Sequence, residues 1–232
     1  MEIHDNIEII DLALYLKDSD TLVLSDFQIG YEEYLNKKGI LMPRFQFNEI
    51  IKRLNKIFRK VKPRTIVVNG DLKHEFGTIS EQEWRNVLKL IDYLSEKCDE
   101  LILVKGNHDI NLGPIARKRK IEIKEYYQAG NAAILHGHKI IPGLKSKILI
   151  IGHEHPAITF RDVRVEKYKC FLKGRWKNKI LIVQPSFNLV NEGSDVAKEK
   201  KLSPFLKGSL KNFNVYAIQD KAYDFGKLKN LM

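Results

Sequence analysis

Thr65-Ile-Val-Val-Asn-Gly-Asp71 sets the pattern for this chain: a short β-branched, apolar run stops at a glycine and a carboxylate. Such a run bounded by a turn signal reads as a buried strand. The same construction recurs on both sides of it. Thr21-Leu-Val-Leu24 leads into Asp26-Phe-Gln28, Leu101-Ile-Leu-Val104 into Gly106-Asn-His-Asp109, Ala132-Ala-Ile-Leu135 into His136-Gly-His138, and Ile148-Leu-Ile-Ile151 into Gly152-His-Glu-His155. Strand ends converge in a sheet protein, and open α/β sheets take their ligands beyond the carboxyl ends of the strands. Side chains spread from residue 26 to residue 155 are therefore expected to meet in one cleft.

Seven groups in these blocks have metal-ligand chemistry: Asp26, Gln28, Asp71, Asn107, His136, His153 and His155. Hard oxygen donors mixed with imidazole suit manganese, iron, zinc or nickel, and the lack of a cysteine cluster argues against a structural zinc or iron–sulfur site. His153 and His155 are two apart, so a regular strand points both to one face. Asp71 is able to bridge, which gives two ions about 3.5–4 Å apart, the spacing of phosphoryl-transfer sites. Any one of these residues alone reads more simply as a cap or a satisfied surface group. Seven in order do not.

Two helices are marked by period. Residues 44–60 place Phe47, Ile50, Ile51, Leu54, Ile57 and Phe58 on one face and stop before Pro63; residues 80–97 open on Ser80-x-x-Glu83, a capping box, and bury Trp84, Val87, Leu88, Ile91 and Leu94. The first half thus reads β-α-β-α-β. Beyond residue 155 the strands are shorter: Tyr168–Phe171, Ile180–Val183 and Asn214–Ile218. No repeat or low-complexity tract interrupts residues 1–232, which are expected to form a single domain.

The order D-x-Q, G-D, G-N-H-D, H-G-H and G-H-x-H over residues 26–155 resembles the calcineurin-like metallophosphoesterase superfamily, and within it the archaeal phosphoesterases related to the bacterial SbcD nuclease, also called ICC-like. Gly30-Tyr-Glu-Glu33 and Gly70-Asp-Leu-Lys-His-Glu-Phe-Gly77 add to the likeness. The resemblance implies an α/β fold (α+β in some schemes): two mixed β-sheets packed as a sandwich and flanked by helices, four layers αββα. It implies metal site one from Asp26, Asp71 and His155, with Gln28 where the family usually has histidine, and metal site two from Asp71, Asn107, His136 and His153. His108 is then the catalytic histidine that binds no metal, oriented by Asp109, and His138 supports the site or touches a phosphate oxygen. The implied cofactors are two divalent ions, manganese first, with zinc, iron or nickel as alternatives. The implied activity is hydrolysis of phosphate esters by a metal-activated hydroxide.

Gln28 is the departure from that pattern. Its amide is a neutral donor, weaker than imidazole; either its carbonyl binds a hard ion such as manganese, or it drops back to hold a water.

Charge bears on the substrate. Forty Lys and Arg against 29 Asp and Glu give +11, and Arg117-Lys-Arg-Lys120 follows shortly after Asn107-His108. Such a run draws polyanions, so Arg117 and Arg119 are candidate substrate contacts and single-stranded or duplex nucleic acid a candidate partner. A solvated lysine-rich loop is an equal reading. Residues 198–211 read as a long mobile loop, with a substrate lid as one option. Tyr126, Tyr127, Trp176 and Phe187 are candidate base-stacking groups, though core is the simpler reading. Nuclease or phosphodiesterase leads; a small-molecule or nucleotide phosphomonoesterase and a catalytically weak scaffold on the same fold are the alternatives.

No basic leader and no apolar run long enough to cross a membrane is expected, and Cys98 and Cys170 read as free thiols of a reducing compartment. The sequence thus fits a cytoplasmic enzyme with no membrane partner. Its lysine-rich, charged composition fits a thermophilic source.

Overall fold

The computed structural model describes residues 1–75, 80–109, 112–161 and 165–232; the last two residues of the Gly70–Gly77 stretch lie outside them. The chain begins with a meander of β1 (Glu2–His4), β2 (Ile7–Ile10) and β3 (Ala13–Leu16), which leads into β4 (Thr21–Ser25). Then come α1 (Tyr31–Lys37), α2 (Gln46–Phe58), β5 (Thr65–Asn69), α3 (Glu81–Ser95), β6 (Glu100–Val104), α4 (Gly113–Arg119) and β7 (Glu122–Lys124). These seven strands make one sheet in chain order, antiparallel through β1–β4 and parallel through β4–β7.

The second sheet takes β8 (Tyr127–Ala129), β9 (Ala132–Leu135), β10 (Ile148–Ile151), β11 (Pro156–Arg161), β12 (Val165–Trp176), β13 (Lys179–Val183), β14 (Ser194–Asp195), β15 (Asn214–Ile218) and β16 (Ala222–Lys227). Its centre runs β12-β13-β10-β9, with β13, β10 and β9 mutually parallel and β12 antiparallel to β13.

Alternation along the strands shows how the sheets pack. Ile148, Ile150, Ile180, Ile182, Ala132 and Ile134 face the core shared with the first sheet, while Leu149, Ile151, Leu181, Val183, Ala133 and Leu135 face a second core on the other side. Strands buried on both faces have to be apolar at every position, which is why they were so plain in the sequence. α2 and α3 cover the first sheet with Ile50, Leu54 and Ile57 and with Val87, Leu90, Ile91 and Leu94. Each such side chain stabilises by ~1.5–3 kcal/mol when fully buried. The outer face of the second sheet is covered differently. Val196, Phe205, Leu206, Leu210 and Phe213 close it, from a segment whose regular structure is a 3₁₀ turn at Pro204–Leu206.

Several expectations shift. The two long helices are shorter at both ends than 44–60 and 80–97, and Leu90 takes the deep position on α3 while Trp84 and Leu88 pack at its margin. Ser80 caps α3 by accepting from the Glu83 N–H, but the Glu83 carboxylate does not return to Ser80; its Oε1 accepts from the His74 and Glu75 amides. Half of the capping box is thereby diverted to the loop after Asp71. Residues 198–211 are anchored, not free. Glu154 Oε2 accepts from Leu202 N and Ser203 N, both at 2.9 Å, and Ser203 Oγ donates to the Gly137 carbonyl. Phe187 is buried against Phe27, and Trp176 packs on Phe205. Among the described residues both cysteines are free, and no helix is long and apolar enough to cross a membrane.

Candidate metal centre

Parallel pairing in register brings the ends of β4, β5 and β6 to one edge of the first sheet, and those of β9 and β10 to one edge of the second. Backbone hydrogen bonds continue past the strand ends: Asp26 N donates to Gly70 O, Gln28 N to Asp71 O, and Gly152 N to His136 O. Several hydrogen bonds tie the sheets together, two of them at the site. His153 N donates to Asp26 Oδ2 at 3.0 Å, and Phe187 N donates to Ser25 O at 2.7 Å. Two glycines permit this closeness. A Cβ on Gly106 would lie 2.1 Å from Asp71 Oδ1, and one on Gly152 would lie 2.1 Å from Ser25 Oγ and 2.3 Å from Asp26 Oδ2.

Asp26, Gln28, Asp71, His153 and His155 all have left-handed backbones, with φ of 53°, 46°, 42°, 67° and 48°. For residues with a Cβ each such conformation costs ~1 kcal/mol or more, and strain of this kind gathers where side chains must be aimed.

The side chains form two groups. In one, a single donor atom from each of Asp71, His136 and His153 lies within 4.8 Å of the others, and Asn107 Oδ1 is 3.0 Å from His136 Nε2. In the other, Asp26 Oδ1 and His155 Nε2 are 3.4 Å apart. Both atoms are buried, and neither completes a hydrogen bond among the described residues. Orphaned buried donors facing each other, in a set of carboxylate, amide and imidazole, fit divalent cations.

The electrostatics agree. Burial would raise the Asp26 carboxyl, but the His155 and His136 charges and the Ser25 hydroxyl, which donates to Oδ2 at 2.6 Å, hold it well below the usual range. Burial and the Asp26 charge push Asp71 up to about 6, and burial and the Asp71 charge push Asp109 up to about 7. Crowded carboxylates of this sort lack a counter-charge that a cation supplies. Burial lowers His136, and burial together with His136 lowers His153 to about 3, so both rings are neutral and ready to bind metal at pH 7.

Gln28 is buried, and its orientation is fixed by a relay. Asn188 Oδ1 accepts from Val190 N, Asn191 N and Gln46 Nε2, so the Asn188 amide nitrogen has to face Gln28, and it donates to Gln28 Oε1 at 3.0 Å. Gln28 therefore presents its oxygen with one lone pair already engaged.

His108 stands over the cleft, with Nε2 3.8 Å from Asp71 Oδ2 and its backbone N–H donating to Asp71 Oδ1. Asp109 does not supply the expected orienting contact. Its oxygens accept from Leu72 N at 3.1 Å and Gly106 N at 2.9 Å, while His108 Nδ1 lies against the His74 carbonyl. His74 is the residue that sequence reasoning missed. Its ring stacks on His108 at 5.4 Å and is held edge-on by Tyr31 and Tyr34, and burial lowers it to about 4. The only signal was its place three residues after Asp71. His138 packs beside His136 and His153, lowered to about 4 by burial and by His136. Arg117 is exposed on α4, whereas Arg119 is committed to Asp92 of α3 by two hydrogen bonds, the second of 2.7 Å.

A family model described as calcineurin-like phosphoesterase matches residues 20–208. Among solved structures, the crystal structure of the Pseudomonas putida nuclease MPE is similar, with a TM-score of 0.65 and 16% identity, covering 95% of this chain and 100% of that one. A protein of unknown function, AQ665 from Aquifex aeolicus, covers 58% of this chain and 78% of its own at 20% identity and a TM-score of 0.38. No curated protein sequence matches.

Proposed function

The chain belongs to the calcineurin-like phosphoesterase family, a family of metal-dependent phosphoesterases, and from that premise we propose that it is a dinuclear phosphodiesterase or nuclease acting on nucleic acid or nucleotides. Asp26, Asp71 and His155 would hold one ion and Asp71, Asn107, His136 and His153 the other, with the Gln28 oxygen beside the first. When bound, the ions supply Lewis-acid activation of a water and of the phosphoryl group. The observation that carries the reading is the buried set of Asp71, His136 and His153, whose donor atoms lie within 4.8 Å of one another, together with the facing, unpartnered Asp26 Oδ1 and His155 Nε2.

The chain's own groups do the rest. Asp71 gives up its proton to serve both sets. His136 and His153 stay neutral because they are buried. His108, whose Nδ1–H donates to the His74 carbonyl, would when doubly protonated also carry a proton on Nε2 over Asp71 and pass it to the leaving oxygen. A positioned acid of this kind contributes ~10² to 10⁴-fold. Manganese is the metal the oxygen-rich first set favours. The polynucleotide reading takes its support from the +11 charge and from the fold held in common with a nuclease. The test is hydrolysis of bis-p-nitrophenyl phosphate, p-nitrophenyl phosphate and single-stranded DNA by apo-protein reloaded with one metal at a time. Turnover of the diester and DNA with manganese is expected; turnover of the monoester alone would overturn the proposal.

A further inference from the structure

Several charged clefts lie outside the metal centre, and one of them stands against α2. A cleft of about 910 Å³ lies between α2, the β2–β3 turn at Ile10 and Asp11, and the β15–β16 turn at Ile218–Lys221. Lys52, Arg53, Lys56, Arg59, Lys60 and Lys221 line it against Asp11, Glu49 and Asp220, six cations to three anions. Three of the six have a partner beside them, a carboxylate in two cases and a neutral ring in the third. Arg53 Nε reaches both Asp11 oxygens at 2.8 and 2.9 Å, Lys52 Nζ is 2.7 Å from Glu49, and Lys221 sits over the Tyr223 ring. Lys56, Arg59 and Lys60 form no ion pair among the described residues.

The excess does not simply follow the chain's overall charge. α3, of similar length and also laid on the first sheet, carries Glu81, Glu83 and Asp92 against Arg85 and Lys89, whereas α2 carries Glu49 against Lys52, Arg53 and Lys56 and runs on into Arg59 and Lys60. Cations gathered in a low-dielectric concavity focus their field outward, which scattered surface lysines do not. The cleft's wall is linked to the Gln28 side of the candidate centre through buried residues. Its wall residue Leu189 directly follows Asn188, the donor to Gln28, and the first residue of α2, Gln46, donates to Asn188.

We propose that this cleft is the track along which a nucleic-acid strand lies by its phosphates as it enters the metal centre. This rests on the phosphodiesterase reading above and names where its polymeric substrate is held. From Gln46 to Lys60 the helix and its last turn span roughly 20 Å at 1.5 Å per residue, long enough to run beside several phosphates of a strand. No tyrosine, phenylalanine or tryptophan lines the cleft, so contact there is to the backbone and independent of sequence. The α4 run, with Arg119 committed to Asp92, takes no part.

The experiment uses metal-free full-length protein and a fluorescent oligothymidylate, with anisotropy followed from low to moderate salt. Wild type should give a log–log salt slope of about −3, near −0.7 for each of four contacts. K56Q/R59Q/K60Q should weaken binding on the order of tenfold or more and flatten the slope to about −1, whereas R117Q/K118Q/K120Q should bind like wild type. Circular dichroism melts within about 2 °C of wild type establish that each variant is folded, which surface positions of this kind allow. An unchanged slope in the cleft variant, an equal loss in both variants, or no binding by wild type would each overturn the cleft. Turnover of bis-p-nitrophenyl phosphate by wild type tests the phosphodiesterase reading separately, since so small a diester has no strand to lay along α2.

Discussion

Asp26 Oδ1 and His155 Nε2 face each other at 3.4 Å inside the protein, and neither completes a hydrogen bond among the described residues. Leaving a buried polar atom unpaired costs ~1–3 kcal/mol. Divalent metal should therefore raise the melting temperature, and His155→Phe, which removes one orphan, should cost little stability while abolishing that response at the first set. Differential scanning calorimetry with and without manganese reads both.

Asp71 is the residue that the two proposed metal sites share. Asp71→Asn keeps the shape and removes the charge, so at least one ion and nearly all hydrolysis should be lost. Metal content by mass spectrometry checks it, and two retained ions with normal turnover would refute the bridging role.

His108 touches Asp71 through its ring and backbone yet belongs to neither donor set. His108→Ala should leave metal content near normal and lower turnover by ~10² to 10⁴-fold. A variant depleted of metal would make His108 a ligand.

The pH dependence of metal binding follows from Asp71. In the metal-free protein its carboxyl is pushed up to about 6 by burial and the Asp26 charge, while His153 is already neutral above about 3. An ion must displace the Asp71 proton, so affinity is full above pH 6 and falls by about tenfold per pH unit below it. Manganese titrations in buffers of differing ionisation enthalpy should show about one proton released at pH 5 and none from Asp71 at pH 8. Equal affinity at the two values would contradict the assignment.

Gln28 offers one lone pair of a neutral oxygen, the other being engaged by Asn188. Gln28→His should tighten the first site and move its preference from manganese toward zinc or nickel. Calorimetric titration of both apo-proteins decides it; indistinguishable isotherms would mean that Gln28 does not touch the ion.

The strands that carry the ligands were legible because each is buried on both faces and so has no polar position to blur it. α1 was not legible, since none of its seven residues is buried and no apolar stripe marks it. The meander of β1–β3 was passed over because such short strands carry little pattern of their own. The candidate ligand groups were picked from side-chain chemistry alone, and the structure gathers Asp71, Asn107, His136 and His153 in one set and Asp26 with His155 in another. His74 was not, because its contribution is a backbone carbonyl and a stacked ring. Asp109 was misjudged for a related reason: its motif position suggested a partner ring, whereas its geometry serves two backbone amides. Nothing in the spacing of residues 198–211 foretold that Glu154, lying between two histidines of the site, would hold that segment down.

The hydrogen bond from His153 to Asp26 crosses from one sheet to the other, which makes the candidate centre a fastener whatever reaction it carries. Ions pulled into it would clamp the free edges of both sheets, and a chelator would release them. The carboxyl ends of β4 and β10 should then exchange amide hydrogens faster in the metal-free protein, while the middles of the same strands remain protected. Selection for catalysis and for mechanical closure would thus fall on the same few side chains, and a substitution that loosens the grip on metal would also shorten the working life of the fold.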